Sequence, residues 1–202
     1  MSSPFPIPVI GLTGGIASGK SLVAKILRER ANIPVLDADQ ISRDLSSPDG
    51  AAASAILQAF GTLDRAQLRK KIFGDAAARA QLEAILHPLI RAESIREISD
   101  LARAGARLAF YEATLLVETG RYRDFDGLLV VEAPLETRID RVSARDGISR
   151  TQALSIIQAQ ARDDARRKAA TWTIENSGAI AELEARVLEL LSEIIAHVGS
   201  GR

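Results

Sequence analysis

Apolar residues follow two rhythms along this chain. Unbroken runs at 9–13, 107–111 and 128–131 predict strands buried on both faces. Shorter runs at 35–36 and 172–175 predict two more, making five. Between them apolar positions recur every three or four residues. The stretch 20–31 has this spacing, and so do Ile180, Leu183, Val187, Leu191, Ile194 and Val198 near the end. Strands alternating with helices predict an α/β fold with a five-stranded parallel sheet, helices on both sides making three layers.

Two segments break the alternation. From 51 to 105 the pattern is helical throughout, as 51–60, 64–73, 75–86 and 89–104. Gly61, Gly74 and Gly105 fall where helices end, Asp64 and Asp75 where they begin, and Pro88 suits a first turn. About 55 residues of helix exceed what one crossover needs, so this is an all-helical insert covering a site. The second segment carries Arg138, Arg141 and Arg145 on one helical face, with Arg138 nearest the sheet. Asp146-Gly147 breaks that helix, and Ser149-Arg150-Thr151-Gln152 has capping-box spacing that starts another. Helix, break, helix without a strand predicts a lid over phosphates; a solvated face is the alternative.

The chemistry starts after the first strand. Gly14-Gly15-Ile16-Ala17-Ser18-Gly19-Lys20-Ser21 reads G-x-x-x-x-G-K-S between an apolar strand and an amphipathic helix continuing at Leu22. The glycines let successive amides converge on phosphate oxygens, and the helix adds its positive end. Lys20 is then expected on the β- and γ-phosphates and the Ser21 hydroxyl on Mg²⁺. Asp37-Ala38-Asp39 follows a buried strand, at the edge where such folds bind ligands; a polar turn capping the next helix is the other reading. Glu112 ends the third strand as a carboxylate suited to a Mg²⁺ shell through water. Trp172 suits a core position better than a stack on a base, and His87, with Arg91 one turn on, is a ligand or a structural histidine.

Composition narrows the partners. Lys plus Arg equals Asp plus Glu at 26 each, so no global charge favours nucleic acid or a membrane surface. The absence of cysteine excludes disulfides, thiolate catalysis and thiolate metal sites. No apolar run approaches the roughly 20 residues of a membrane span, and the first residues lack signal-peptide character. A cytoplasmic enzyme is expected, as a monomer, with a homo-oligomer as alternative.

A regulatory GTPase would need Asn-Lys-x-Asp to read guanine, which is absent. Asp124-Phe125-Asp126-Gly127 matches D-x-x-G but precedes a strand. A small-molecule kinase is favoured over a nucleotide-binding switch. With 12–21 (Leu-Thr-Gly-Gly-Ile-Ala-Ser-Gly-Lys-Ser), Asp37-Ala38-Asp39 with Arg43, and Leu86-His87-Pro88-Leu89-Ile90, the chain resembles the dephospho-CoA kinase family. Thr114-Leu115-Leu116-Val117-Glu118, Arg141 to Arg145-Asp146, and Ile174-Glu175-Asn176-Ser177-Gly178 extend the resemblance over nearly the whole chain. It implies ATP-dependent phosphorylation of the ribose 3′-hydroxyl of dephospho-CoA. It also implies a nucleotide-binding core (1–41, 106–135, 170–202), a helical CoA-substrate domain (42–105) and a lid (136–169).

By matching position, Asp39 becomes the base or hydroxyl-orienting residue, also near Mg²⁺ through water, with Arg43 beside it. Residues 14–22, Arg141, Arg145 and Asn176 become the ATP site, with Lys20 and Arg145 catalytic. His87, Pro88, Arg91, Glu112, Leu115 and Glu118 become substrate contacts. The chain departs from the family pattern at Thr114 and Val117, at Leu22, at Thr171 and in the short 61–64 loop.

Overall fold

The computed structural model describes residues 3–160 and 163–200, Ser200 by its backbone alone. The chain divides into two units, residues 1–36 with 101–202, and residues 37–100. The expected boundaries at 41/42 and 105/106 lie about five residues later at each crossing.

The first unit is built on a five-stranded sheet. Its strands are β1 (Val9–Gly14), β2 (Val35–Asp37), β3 (Ala109–Glu112), β4 (Gly127–Glu132) and β5 (Trp172–Glu175), in the order β2-β3-β1-β4-β5. β1 runs parallel to both β3 and β4, and β4 parallel to β5. Alternate residues of each strand face opposite sides. Ile10, Leu12, Phe110, Leu129, Val131 and Ile174 therefore share one face, covered by α1 (Lys20–Arg30) and α9 (Ile180–Ser200). Val23, Ile26 and Leu27 of α1 and Leu183, Val187, Leu191 and Ile194 of α9 complete this cluster. On the other face Phe125 stacks between Phe5 and Tyr111, at 5.9 and 5.0 Å. Asp126 closes the sheet locally, its Oδ2 accepting from the Val9 amide at 2.9 Å; this gives the D-x-x-G string a structural use. Trp172 meets His197 edge-on at 5.2 Å, a packing role.

Three helices follow β4: α6 (Leu135–Asp146), α7 (Arg150–Gln158) and α8 (Asp163–Ala169). The Ser149 capping box is formed in full. Ile139, Val142, Ala153 and Ile157 make a small apolar seam between α6 and α7, against which Ile16 and Ala17 pack.

The second unit contains α2 (Ala38–Leu45), α3 (Ala53–Phe60), α4 (Arg65–Ile72) and most of α5 (Ala76–Arg103). Asp64 and Asp75 cap as their spacing predicts, and Gly61 and Gly74 take left-handed φ of 70° and 78°. The expected break at Pro88 does not occur: α5 is one helix of 28 residues with Pro88 inside. Proline removes one helical hydrogen bond and crowds the preceding turn, costing about 3 kcal/mol. The apolar stripe offsets that, because Leu82, Ile85, Leu86 and Leu89 pack on the Ile56–Phe60–Leu68 core across the proline.

Candidate active site

The loop after β1 is shaped by its surroundings before any ligand arrives. Gly19 has φ 95°, and a Cβ there would collide with the Asn176 side chain, whose Nδ2 donates to Ser18 O at 2.9 Å. Asn176 is buried and so acts on the loop backbone. The first turn of α1 has no side-chain cap, which leaves its amides to an anion.

Lys20 and Ser21 converge on one carboxylate. Lys20 Nζ lies 2.8 Å from Glu112 Oε1, and Ser21 Oγ donates to the same oxygen at 2.9 Å. Arg28 Nη2 approaches Glu112 Oε2 at 3.5 Å. The Glu112 side chain is only 5% exposed, so its charge is compensated by this lysine and arginine rather than by water. The sequence resemblance sets Glu112 among the substrate contacts; the fold sets it against Lys20 and Ser21. A hydroxyl and a carboxylate oxygen side by side form a hard-oxygen pair, which suits Mg²⁺ completed by water and phosphate oxygens. Among the described residues no cluster of three or more His, Cys, Asp or Glu offers a self-sufficient metal cage.

The arginine stripe of α6 is graded rather than uniform. Arg145 is 57% exposed and forks onto Asp146 at 2.7 and 2.8 Å. Arg141 donates to the carbonyls of Ala17 (3.2 Å) and Asn176 (3.3 Å). Arg138 is 2% exposed and lies beneath the loop, its Nε donating to Ile16 O at 3.0 Å and its Nη1 to Asp163. Spacing places all three on one face but does not reveal that Arg138 is buried. Two further residues that spacing does not single out join here. Gln160 accepts the Ile16 amide at 2.7 Å, and the buried Arg166 links Asp163 to Glu118. Burial pushes the Asp163 carboxyl up, but the Arg166 hydrogen bond and the Arg138 charge outweigh it and hold it below the usual range.

The second unit has its own cleft, about 370 Å³ in volume. Asp37 caps α2, its Oδ1 accepting from the Asp39 and Gln40 amides at 2.8 and 3.0 Å. That leaves the Asp39 carboxylate exposed on the first turn, where it lines the cleft. Ser42, Arg43 and Ser46 continue the α2 wall, and Arg65 and Arg69, one turn apart on α4, face it. Ile56, Leu68, Ile72, Leu82 and Leu86 supply an apolar lining. Arg43 bonds Gln40 and lies 3.6 Å from Asp37, whereas Arg65 and Arg69 have no ion pair among the described residues. Unneutralised guanidinium groups beside an apolar surface suit an anion with an apolar extension. His87, Pro88 and Arg91 are exposed on α5 outside that lining. Leu115 is exposed in the turn after β3, and Glu118 accepts from Arg166 at 3.2 Å.

Comparison with known proteins gives the family and the fold. The family model described as dephospho-CoA kinase matches residues 8–182. A dephospho-CoA kinase of Frankia casuarinae is 42% identical over 196 residues, covering 93% of this chain and 84% of the relative. A crystal structure from Thermus thermophilus superposes with a TM-score of 0.81 at 38% identity, covering 93% and 97% of the two chains. A Campylobacter jejuni dephospho-CoA kinase shares the fold, with a TM-score of 0.68 at 24% identity over 92% and 96% of the chains.

Proposed function

The chain belongs to the dephospho-CoA kinase family, and on that premise we propose that it moves the γ-phosphoryl group of ATP to the ribose 3′-hydroxyl of dephospho-CoA. The observation that carries the site assignment is the single cleft shared by Asp39, Arg43, Arg65 and Arg69. Dephospho-CoA carries a diphosphate between a nucleoside and a long arm in which short aliphatic stretches alternate with amides. Arg65 and Arg69 receive the diphosphate, and Leu68, Ile72 and Leu82 receive the arm. The carboxylate of Asp39 then orients the hydroxyl and accepts its proton as the bond to phosphorus forms.

The β- and γ-phosphates sit on the loop amides and the uncapped first turn of α1. Lys20 turns from Glu112 to the phosphate oxygens, where its charge matches the charge that grows during transfer. Ser21 Oγ, with Glu112 beside it, would hold Mg²⁺, which when bound would neutralise phosphate charge during transfer. Arg145 leaves Asp146 for the γ-phosphate, and Asn176 with Arg141 keeps the loop and the adenine end in place. Among the described residues no helix is long and apolar enough to cross a membrane, consistent with a cytoplasmic place for this reaction.

The direct test incubates the protein with ATP, Mg²⁺ and dephospho-CoA and follows coenzyme A by mass. Nucleotide binding without any phosphorylated dephospho-CoA overturns the substrate assignment. Removing Arg65 and Arg69 together is expected to raise KM for dephospho-CoA by on the order of 10²-fold, each charge-assisted contact contributing about 1.5 kcal/mol or more. KM for ATP stays unchanged. Equal shifts in both constants would move the diphosphate elsewhere.

Lys20→Ala is expected to lower kcat by about 10²- to 10³-fold or more, as when one preorganised donor is removed. It also strips Glu112 of its closest cation, so stability falls by about 1–3 kcal/mol. Lys20→Ala combined with Glu112→Gln recovers the melting temperature but not turnover. If the double variant regains activity, the lysine has no role in transfer.

A further inference from the structure

Against the phosphate loop at Ile16 lies an array of charges that the transfer step does not use. Arg138 is almost fully buried, and isolating a guanidinium from water costs several kcal/mol unless partners compensate it. Its Nη1 donates to both Asp163 oxygens at 3.0 and 3.1 Å, and its Nε to the Ile16 carbonyl at 3.0 Å. Asp163 also accepts from Arg166 at 2.7 Å, and Arg166, 3% exposed, continues to Glu118 at 3.2 Å. Charges thus alternate from the loop carbonyl through α6 and α8 to the turn after β3.

The loop has a reason to need such support. Ala17 adopts φ 60°, a left-handed conformation costing a residue with a Cβ about 1–2 kcal/mol. Conformations of this kind persist only where the surroundings over-determine them. The carbonyl before Ala17 is held by Arg138 and its own carbonyl by Arg141, so the strained residue is clamped on both sides. Gly15 fits the same arrangement, because a Cβ there would collide with the Arg138 guanidinium.

Among the described residues, two of the buried polar atoms without a protein partner belong to this array, Arg138 Nη2 and Ser18 Oγ. Both residues border a cavity of about 10 Å³, the size of one water. A water in that cavity would give each atom a partner and would link Arg138 to the loop at Ser18.

From these observations we propose that Arg138 and Asp163 are a positioning pair: they hold the phosphate loop, through Ile16 and one buried water, in its phosphate-accepting shape. The order of α8 is thereby coupled to nucleotide affinity. This rests on the nucleotide reading of the loop, and the test separates the two. Asp163 has no hydrogen bond to the loop among the described residues, so its effect on nucleotide must pass through Arg138.

The test measures ADP affinity by calorimetry, KM for both substrates and the melting temperature in Asp163→Asn, Arg138→Lys and the double variant. Asp163→Asn keeps its shape but loses its charge. It is expected to weaken ADP binding about tenfold, within the range of coupling between linked sites, with KM for dephospho-CoA unchanged. The double variant should bind ADP no more weakly than Arg138→Lys alone, because the two act as one unit. Unchanged ADP affinity in Asp163→Asn, with or without a lower melting temperature, overturns the proposal, and so do losses that simply multiply. If Arg138→Lys does not fold, Asp163→Asn decides alone. Absence of ADP binding by the unaltered protein instead removes the nucleotide reading itself.

Discussion

Asp39→Asn is expected to lower kcat by about 10²- to 10⁴-fold, the range for a positioned general base, while leaving the fold and nucleotide affinity in place. A secondary hydroxyl is a poor nucleophile, and transfer requires it in line with the γ-phosphorus and relieved of its proton as the new bond forms. Asparagine keeps the shape of the side chain and can still hold the hydroxyl, but it cannot take the proton. The structure makes the experiment cleaner than the sequence allows. On spacing alone, either aspartate of Asp37-Ala38-Asp39 could cap the following helix, and a capping loss of about 1 kcal/mol would confuse the result. The cap is Asp37, and the Asp39 side chain is exposed at the cleft. The two roles therefore separate by position: Asp37→Ala should lower the melting temperature and spare kcat, and Asp39→Asn the reverse. A normal kcat in Asp39→Asn would leave the cleft without a base.

The second large effect is at Arg145. An arginine on the transferring phosphoryl group can contribute on the order of 10³-fold or more, and Arg145→Ala should lose about that much of kcat. Arg145→Lys keeps the charge but not the planar fork that meets two phosphate oxygens at once, so it should recover only a small part. The resting partner of Arg145 is its neighbour Asp146, which holds the fork and raises the guanidinium's affinity for its proton. Both side chains are substantially exposed, so this pair adds little to stability and the melting temperature should hardly move. Arg138 is unsuitable as the matched control, despite sharing the helical face, because it is buried under the loop. Arg150 is suitable: it is exposed and bonded to Glu136 and Asp140 on the same pair of helices. Equal small effects of Arg145→Ala and Arg150→Ala on kcat would make the outer stripe a solvated face.

What the sequence alone determined is local. The phosphate loop, the five strands and most helix ends are written in neighbouring residues. Gly61 and Gly74 take the left-handed turns that only glycine adopts cheaply, and Asp64, Asp75 and Ser149 each accept from the amide three residues on. Each of these interactions is closed within one turn of chain, so spacing suffices to read it.

Tertiary structure decided everything that depends on what a side chain faces. Pro88 looked like a helix start because its local cost is real, and it became a helix interior because packing on both sides of it outweighs that cost. Lys20 and Glu112 are 92 residues apart, Ile16 and Gln160 are 144, and Arg138 and Asp163 are 25 apart on separate helices. Arg65 and Arg69 show in the sequence only as an exposed basic pair, and it is the fold of the helical unit that sets them across a cleft from Asp39. Periodicity fixes which face of its own element a residue occupies. It carries no information about the element that comes to lie against that face, because that choice is made by burying apolar surface over the whole unit.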